Sequence, residues 1–534
     1  MNFKYFKNIA PVAAVALLSV GLSSCTGDLD VTPIDPSTNM TVNEAALFTK
    51  CYANMAMAGN TGANGDCDID GLDGGTTGFV RQMFNANELT TDESICSWGD
   101  TGIPAFNYGQ WDASHPMLQG FYYRLYAGID YCNHYLNVCA DADASHVAEV
   151  HFLRCLYYYF LMDCFGNVPF TTEISANAPE QIKRADLFAW IEKELKEECL
   201  PNMLTPAARK STDEGYGRAD QDAANLLLAR MYLNAEVYTG TAHWSEAKEY
   251  AEKVINGPHK LWTTGKNGWT AYQMLFMGDN GENGASQEAI LPLLQDGVTT
   301  TSWGTSLFLM ASCWKADMDE EEGNYGTSEF WAGNRARSQF VAKFFPNGDA
   351  PAVGVKDMVL AANDDRALIY GKDRELVVTN PGEYTSGYAV AKFRNTYSDG
   401  GQPHNSQFVD TDYFLMRSAE AYLIAAEADA RLNGGSTTAT GTGYLNQLRQ
   451  RAEATTQAQY SLNQILDERS KELYYEGFRR TDLVRYDLFT SNSYVWDWKG
   501  GVLSGTGFAD TRNIFAIPAE DVNANPNLTQ NPGY

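Results

Sequence analysis

Hydrophobic residues recur at spacings of three and four along much of this chain. Val150, Leu153, Tyr157, Phe160/Leu161 and Cys164 follow that alternation, and Pro169 comes after it stops. This is the period of one helix face, followed by a residue that cannot continue the hydrogen-bond ladder. Ala224, Leu227/Leu228, Met231/Tyr232 and Ala235 repeat the pattern; Ala247, Tyr250/Ala251 and Val254/Ile255 make a second helix before Gly257-Pro258. Ala223–Gly257 is therefore expected to be a helical hairpin of tetratricopeptide-like length, with small residues where the two helices approach. Ala419–Leu432 followed by Tyr444–Ala452 predicts another pair. The stretches 43–56 with 119–138, and 148–164 with 183–199, supply two more. One hairpin cannot bury its own apolar face, so the pairs are expected to stack.

Between these blocks the pattern breaks down. Residues 60–115 and about 258–405 are rich in Gly, Asn, Thr, Asp and Trp, and Asn280–Ser286, Glu320–Thr327 and Ser398–Gln402 read as turns or loops. The fold class that follows is mostly α-helical. Hairpin repeats over about 42–257 and 413–490 carry a large loop-rich lobe at about 258–412, and long loops on an ordered scaffold are where binding concentrates.

The first residues follow a different logic. Lys4 and Lys7 precede an apolar run at Ala13–Val20, then Leu22-Ser23-Ser24-Cys25. The run is too short to span a bilayer, so 1–24 reads as a secretory signal peptide. Small residues before Cys25 resemble a bacterial lipobox, in which that cysteine becomes the acylated N-terminus. Residues 25–41, polar and carrying Pro33 and Pro36, then form a short tether to a body at 42–534.

Composition narrows the function classes. With 39 Lys+Arg against 67 Asp+Glu, the formal net charge is −28. That argues against nucleic acid, whose phosphates need clustered cations, and against attraction to anionic headgroups. The 11 Trp, 30 Tyr and 25 Phe exceed what a lean core requires. Ten cysteines include no CxxC pair, and Cys132, Cys139, Cys155 and Cys164 lie within helical patterns as small buried hydrophobes; no spacing specifies a disulfide. No GxGxxG follows a strand, and P-loop, HExxH and GxSxG signatures are lacking. The seven histidines show no metal-ligand spacing. The chain reads as a non-enzyme.

At this point the sequence resembles the SusD/RagB family. The resemblance rests on the lipobox opening, the helix running into FLMDCFGNVPF, GRADQDAANLLLARMYLNA (217–235), AEAYLIAAEADARL, ERSKELYYEGFRRTDLVRYDLF (468–489) and the tail from Ile517-Pro518 to Gly533-Tyr534. It covers essentially the whole chain. Segments 78–94, 290–298 and 495–501 resemble the family's founding, starch-binding member more than the family average. The resemblance implies four tetratricopeptide-like units and no catalysis. It also implies a lipid anchor on Cys25 in the outer membrane facing the exterior, and a partnership with a SusC-like TonB-dependent transporter. The ligand it implies is starch or a related α-glucan oligosaccharide; the alternatives are another glycan, or a structural lid on the transporter with no sugar site.

Carried over by local match, the sugar-binding arc falls on Trp98, Trp303 (Tyr in the resembling segment) and Trp331, with Arg81 as a polar contact. Two positions depart: Cys96 replaces a tryptophan, and Thr101 replaces an asparagine that meets sugar hydroxyls. The residue types suit the task independently of the family. An indole covers the C–H face of a pyranose, polar groups at its edge satisfy the hydroxyl rim, and rings set on a curve favour a curved chain. Trp190 and Trp244, in helical patterns, are expected in the core. Asp279, Asp410 and Asp412 match acidic residues that the resemblance associates with calcium, a hard cation served by oxygen ligands. Glu476–Arg485, with its Arg/Asp alternation, is expected to make internal ion pairs.

Overall fold

Helix Ala144–Phe165 is buried on every side from Phe152 to Phe165, which is why its C-terminal half shows no polar stripe. The computed structural model describes residues 42–65 and 67–534, the side chains of 64, 320 and 321 excepted. The signal peptide, Cys25 and the tether thus lie outside the described residues. Helix Ala144–Phe165 packs between Pro116–Val138 and Arg184–Glu194, and Glu44–Ala56 packs on Pro116–Val138. At the Pro116–Val138 crossing, any side chain on Gly128 would overlap the ring of Tyr157, so glycine sets the approach of the two helices. Gln221–Leu233 and Trp244–Asn256 form the expected hairpin. The second is one-sided, burying Ala247, Ala251, Val254 and Ile255.

Stacking follows from small residues. Helix Ser418–Leu432 lies along Trp244–Asn256, Ala439–Arg451 and Leu462–Leu473, and Ala419, Ala421, Ala425, Ala426, Ala428 and Ala430 on it are wholly buried. Short side chains let three neighbours reach one helix. Trp190 and Trp244 sit at the edge of the core, half-buried, with Arg154 5.4 Å from the Trp190 ring and Arg431 4.6 Å from that of Trp244. Glu44–Tyr534 forms one compact unit. Among the described residues no helix is long and apolar enough to cross a membrane.

The segment between the helical blocks carries short helices and two-stranded antiparallel sheets. Ala289–Leu293 pairs with Tyr413–Arg417, and Ser94–Cys96 with Asn334–Ala336. Two expected loops are partly helical. Glu320–Thr327 begins inside helix Ala316–Glu322, where Asp317 and Asp319 in the first turn favour the positive end of the helix dipole and Gly323 ends it at φ +80°. Phe79–Phe84, in the Gly-rich stretch, is helical with all six residues buried, so it has no polar face for periodicity to reveal. The nine cysteines of the described region are all free thiols, Cys67 alone being partly exposed.

Charges are buried in pairs. In the Glu476–Arg485 segment, Arg479 holds Asp92 at 2.7 Å and Arg480 pairs with Asp163. Arg485 meets Glu427 at 2.7 Å, and Asp482 meets Arg469 at 2.8 Å. Even with burial opposing ionisation, the surrounding Arg485, Arg431 and Arg469 draw the Glu427 carboxyl from 4.5 down to about 2. A carboxylate with a depressed folded pKa binds fewer protons folded than unfolded. Its stabilisation is therefore present above about pH 4.5 and lost as pH falls towards 2, on the order of 3 kcal/mol in all. Urea unfolding of wild type and Glu427→Gln should show a stability gap that is largest near neutrality and narrows between pH 5 and pH 2. A gap constant over that range would contradict the assignment.

Candidate functional site

Three segments far apart in sequence deliver the candidate tryptophans to one place. Ser94–Cys96 pairs with Asn334–Ala336 in the register Cys96↔Asn334, and Ser97 N–H continues the pairing to Gly333 O at 3.0 Å. This sets Trp98, just past the first strand, beside Trp331, just before the second. Trp303 arrives from a third segment: Gly304 O accepts from Arg81 N–H at 2.9 Å, and a Cβ on either Gly78 or Gly304 would sit 3.1 Å from the other's Cα. The ring centroids of Trp98 and Trp331 are 6.4 Å apart and those of Trp303 and Trp331 6.1 Å, tilted by 54° and 44°. All three are half-buried and border one open cleft of about 380 Å³ with Arg81, Asp73, Thr76 and Asp100.

Each ring is held by its own N–H. Trp98 Nε1 donates to Trp331 O at 3.1 Å, Trp303 Nε1 to Ala63 O at 2.9 Å and Trp331 Nε1 to Glu329 Oε2 at 2.8 Å. Glu329 Oε1 in turn accepts from Gln407 Nε2 at 2.8 Å. The indole edges are thereby used up, and what remains on offer is ring surface. Phe408 packs edge-on behind Trp303, and Phe308 behind Trp98.

Arg81 lies 5.5 Å from the Trp98 ring centroid and 5.1 Å from that of Phe308. Its Nη1 donates to Gly75 O at 2.9 Å, while Nε is buried without a partner. Burial lowers its pKa from the usual arginine value. Thr101, by contrast, is exposed and is not among the residues bordering the cleft; Asp100 takes that place. Cys96, the last residue of the first strand, is buried and its thiol is pushed up to about 12 by burial, so this position packs the core here.

Gly333 is a requirement that the sequence did not announce. A side chain there would overlap the Trp98 indole, because the ring sits directly against Gly333, just before the partner strand. Gly333→Ala should displace that ring and weaken glycan retention roughly tenfold, about the loss of one aromatic contact, while leaving the helical circular dichroism unchanged. Unaltered retention would show that Trp98 is dispensable. Asp73, Thr76, Asp100 and Glu329 were likewise missed, since single polar residues in Gly-rich segments carry no pattern.

A larger cleft, about 750 Å³, lies elsewhere, bordered by Tyr122, Tyr123, Tyr126, Phe170, Ile174 and Asp521 among others. Tyr122 is buried, Tyr126 OH donates to Pro169 O at 2.6 Å, and Tyr123 OH to Asp521 Oδ1 at 3.1 Å.

The three aspartates singled out for calcium organise loops. Asp279 Oδ2 accepts from Ser398 N and Oγ at 3.0 and 2.6 Å. Asp410 Oδ2 accepts from Tyr397 OH and His404 N, each at 2.9 Å. Asp412 takes Gln295 N at 2.8 Å and Tyr216 OH at 2.7 Å, and burial pushes its carboxyl up to about 7. Asp410 Oδ1 faces the His404 imidazole, whose Nδ1 lies 3.2 Å away. Among the described residues, the acidic and histidine side chains whose ligand atoms all lie within 4.8 Å of one another are instead Asp220, Asp222 and His259. That set has the donors for a divalent cation, and it went unnoticed because His259 is 37 residues from its nearest partner.

Comparison with known proteins agrees with this architecture. A family model described as "SusD family" matches residues 236–534, and one described as "Starch-binding associating with outer membrane" matches 29–233. The starch-binding protein SusD of Bacteroides thetaiotaomicron is 38% identical, with 100% of each chain covered. SusD-like protein P2 of Formosa agariphila is 25% identical, covering 78% of this chain and 81% of its own. Among solved structures, surface glycan-binding protein A from Bacteroides thetaiotaomicron, in complex with laminarihexaose, superposes with a TM-score of 0.64 at 18% identity, covering 91% and 98% of the two chains; at that identity the likeness concerns the fold. With a family model over more than half of its length and a relative matched from end to end, this chain belongs to the SusD family of non-catalytic glycan-binding proteins.

Proposed function

We propose that this protein is a surface lipoprotein that captures starch or related α-glucan oligosaccharides on the Trp98–Trp303–Trp331 cleft and passes them to a SusC-like TonB-dependent transporter. The observation that carries the reading is the meeting of three half-buried indoles at one open cleft with their N–H groups already bonded. Tilts of 54° and 44° between neighbouring rings suit a chain that turns as it runs. Arg81, Asp73, Thr76 and Asp100 supply donors and acceptors for the hydroxyl rim. An arc formed in advance costs little ordering on binding. The starch-binding name of the 38% identical relative supports the ligand class, and the lipobox-like residues before Cys25 support an anchor in the outer membrane.

A different glycan is the second reading, and Thr101 favours it. The polar partner expected at that position is exposed and away from the cleft, and carboxylates stand at the rim instead. Native gels containing amylopectin, pullulan, laminarin or inulin separate the two. Retardation of the 26–534 fragment by the α-glucans alone supports starch, and retardation only by laminarin or inulin replaces it. If no glycan retards the fragment while a transporter still co-purifies, the protein is a structural lid. No reducing sugar should be released from any of the four.

Calcium at Asp279, Asp410 and Asp412 belongs to the same proposal, supported by three buried carboxylates, hard oxygen donors, from segments far apart in sequence. EGTA should lower the thermal midpoint by a few degrees, reversibly with Ca²⁺; an unchanged midpoint removes the ion from the account.

A further inference from the structure

The Asp220–Asp222–His259 cluster has no part in the glycan cleft. Asp220 caps helix Gln221–Leu233, its Oδ1 accepting from Asp222 N–H at 3.0 Å. Its Oδ2 meets His259 Nε2 at 3.1 Å, Ala207 N–H at 3.2 Å and Arg209 Nη1 at 3.4 Å. Asp222 and His259 are 2% and 3% exposed. Both carry a buried polar atom with no hydrogen-bond partner, Asp222 Oδ2 and His259 Nδ1. A buried carboxylate oxygen left unpaired costs about 1–3 kcal/mol or more, and here two orphan atoms occur on neighbouring side chains. Gly257 makes room for one of them, since a Cβ at that position would sit 2.6 Å from Asp222 Oδ2.

We propose that Asp220, Asp222 and His259 bind one first-row divalent metal ion, of which Zn²⁺ is the reference case. A donor set of one imidazole and two carboxylates matches such an ion, whereas calcium takes oxygen ligands only. Bonds of about 2.0–2.2 Å in a tetrahedral site set donor atoms about 3.3–3.6 Å apart. The three residues already offer donors within 4.8 Å of one another, so a small contraction closes the site, with water in the fourth position. The ion engages Asp222 Oδ2 and one imidazole nitrogen, and Arg209, at its long 3.4 Å contact, gives way. Its effect is to staple the Gly257–His259 turn, which ends the second helix of the hairpin, to the start of the first.

The test uses the full chain in detergent, stripped with EDTA and dialysed against Zn²⁺ in the presence of Ca²⁺ to occupy hard oxygen sites. Metal analysis should find one zinc per chain, and Asp222→Asn and His259→Gln should each weaken retention at least tenfold. X-ray absorption of the wild-type zinc form should show nitrogen and oxygen scatterers near 2.0 Å, including imidazole, a readout that stands even where a variant fails to fold. Three outcomes overturn the proposal: no retained zinc, which leaves a plain His–Asp hydrogen bond; zinc retained equally by both variants; or sulfur or no imidazole in the coordination shell.

Discussion

Removing Trp303 and Trp331 together, as the double alanine variant, is expected to weaken α-glucan binding about 100-fold. Each exposed indole face contributes roughly 1–1.5 kcal/mol through covered apolar area and ring contact, and two such losses multiply to about two decades in Kd. The rings neighbour each other at 6.1 Å, so the combined loss tests the arc as a unit. Trp98 is a poorer choice, because it lies on Gly333 and under Arg81, and its removal disturbs the strand pair as well as the ligand face. Calorimetric titration with maltoheptaose measures the effect, with thermal unfolding as the control. Wild-type affinity in a folded double variant would reject this cleft as the sugar site.

Arg417→Met is expected to be the most damaging single change to the fold. Arg417 is 1% exposed. Its guanidinium reaches Glu288 at 2.8 Å, the Glu472 carboxylate at 2.7 Å, the Glu472 backbone oxygen at 2.9 Å and both oxygens of Glu476 at 2.7 Å. Arg451 and Lys392 share those carboxylates but cannot replace five bonds from one fork. The substitution leaves carboxylates buried with too few cations, a defect worth about 3–5 kcal/mol, comparable with a large part of a domain's whole stability. Arg417→Lys should rescue little, since a point charge cannot serve three carboxylates at once. Urea unfolding, or soluble yield where the variant does not fold, measures this; a loss below about 1 kcal/mol would mean the network is redundant.

The scaffold could be read in advance where a helix has two unlike faces. Ala247, Ala251, Val254 and Ile255 mark the buried side of Trp244–Asn256, and the small residues of Ser418–Leu432 announced close neighbours. Phe79–Phe84 displays no such pattern, because six buried residues make fewer than two turns and are too short to show a period. Ala316–Glu322 is hidden for another reason: its charged composition looks like a loop until the helix dipole is counted.

Residue types and their order along the chain already determined the helical class and the arginine–carboxylate character of Glu476–Arg485, and the family resemblance singled out the tryptophans. Only the folded chain decided that Trp98, Trp303 and Trp331 share one cleft, that Thr101 stands outside it, and that His259 meets Asp220 and Asp222. The reason is physical. Helix faces arise from interactions three or four residues apart, which a sequence displays directly. A site assembled from strand register, glycine contacts and loop closure depends on pairings across tens or hundreds of residues, and no local pattern encodes which of them meet.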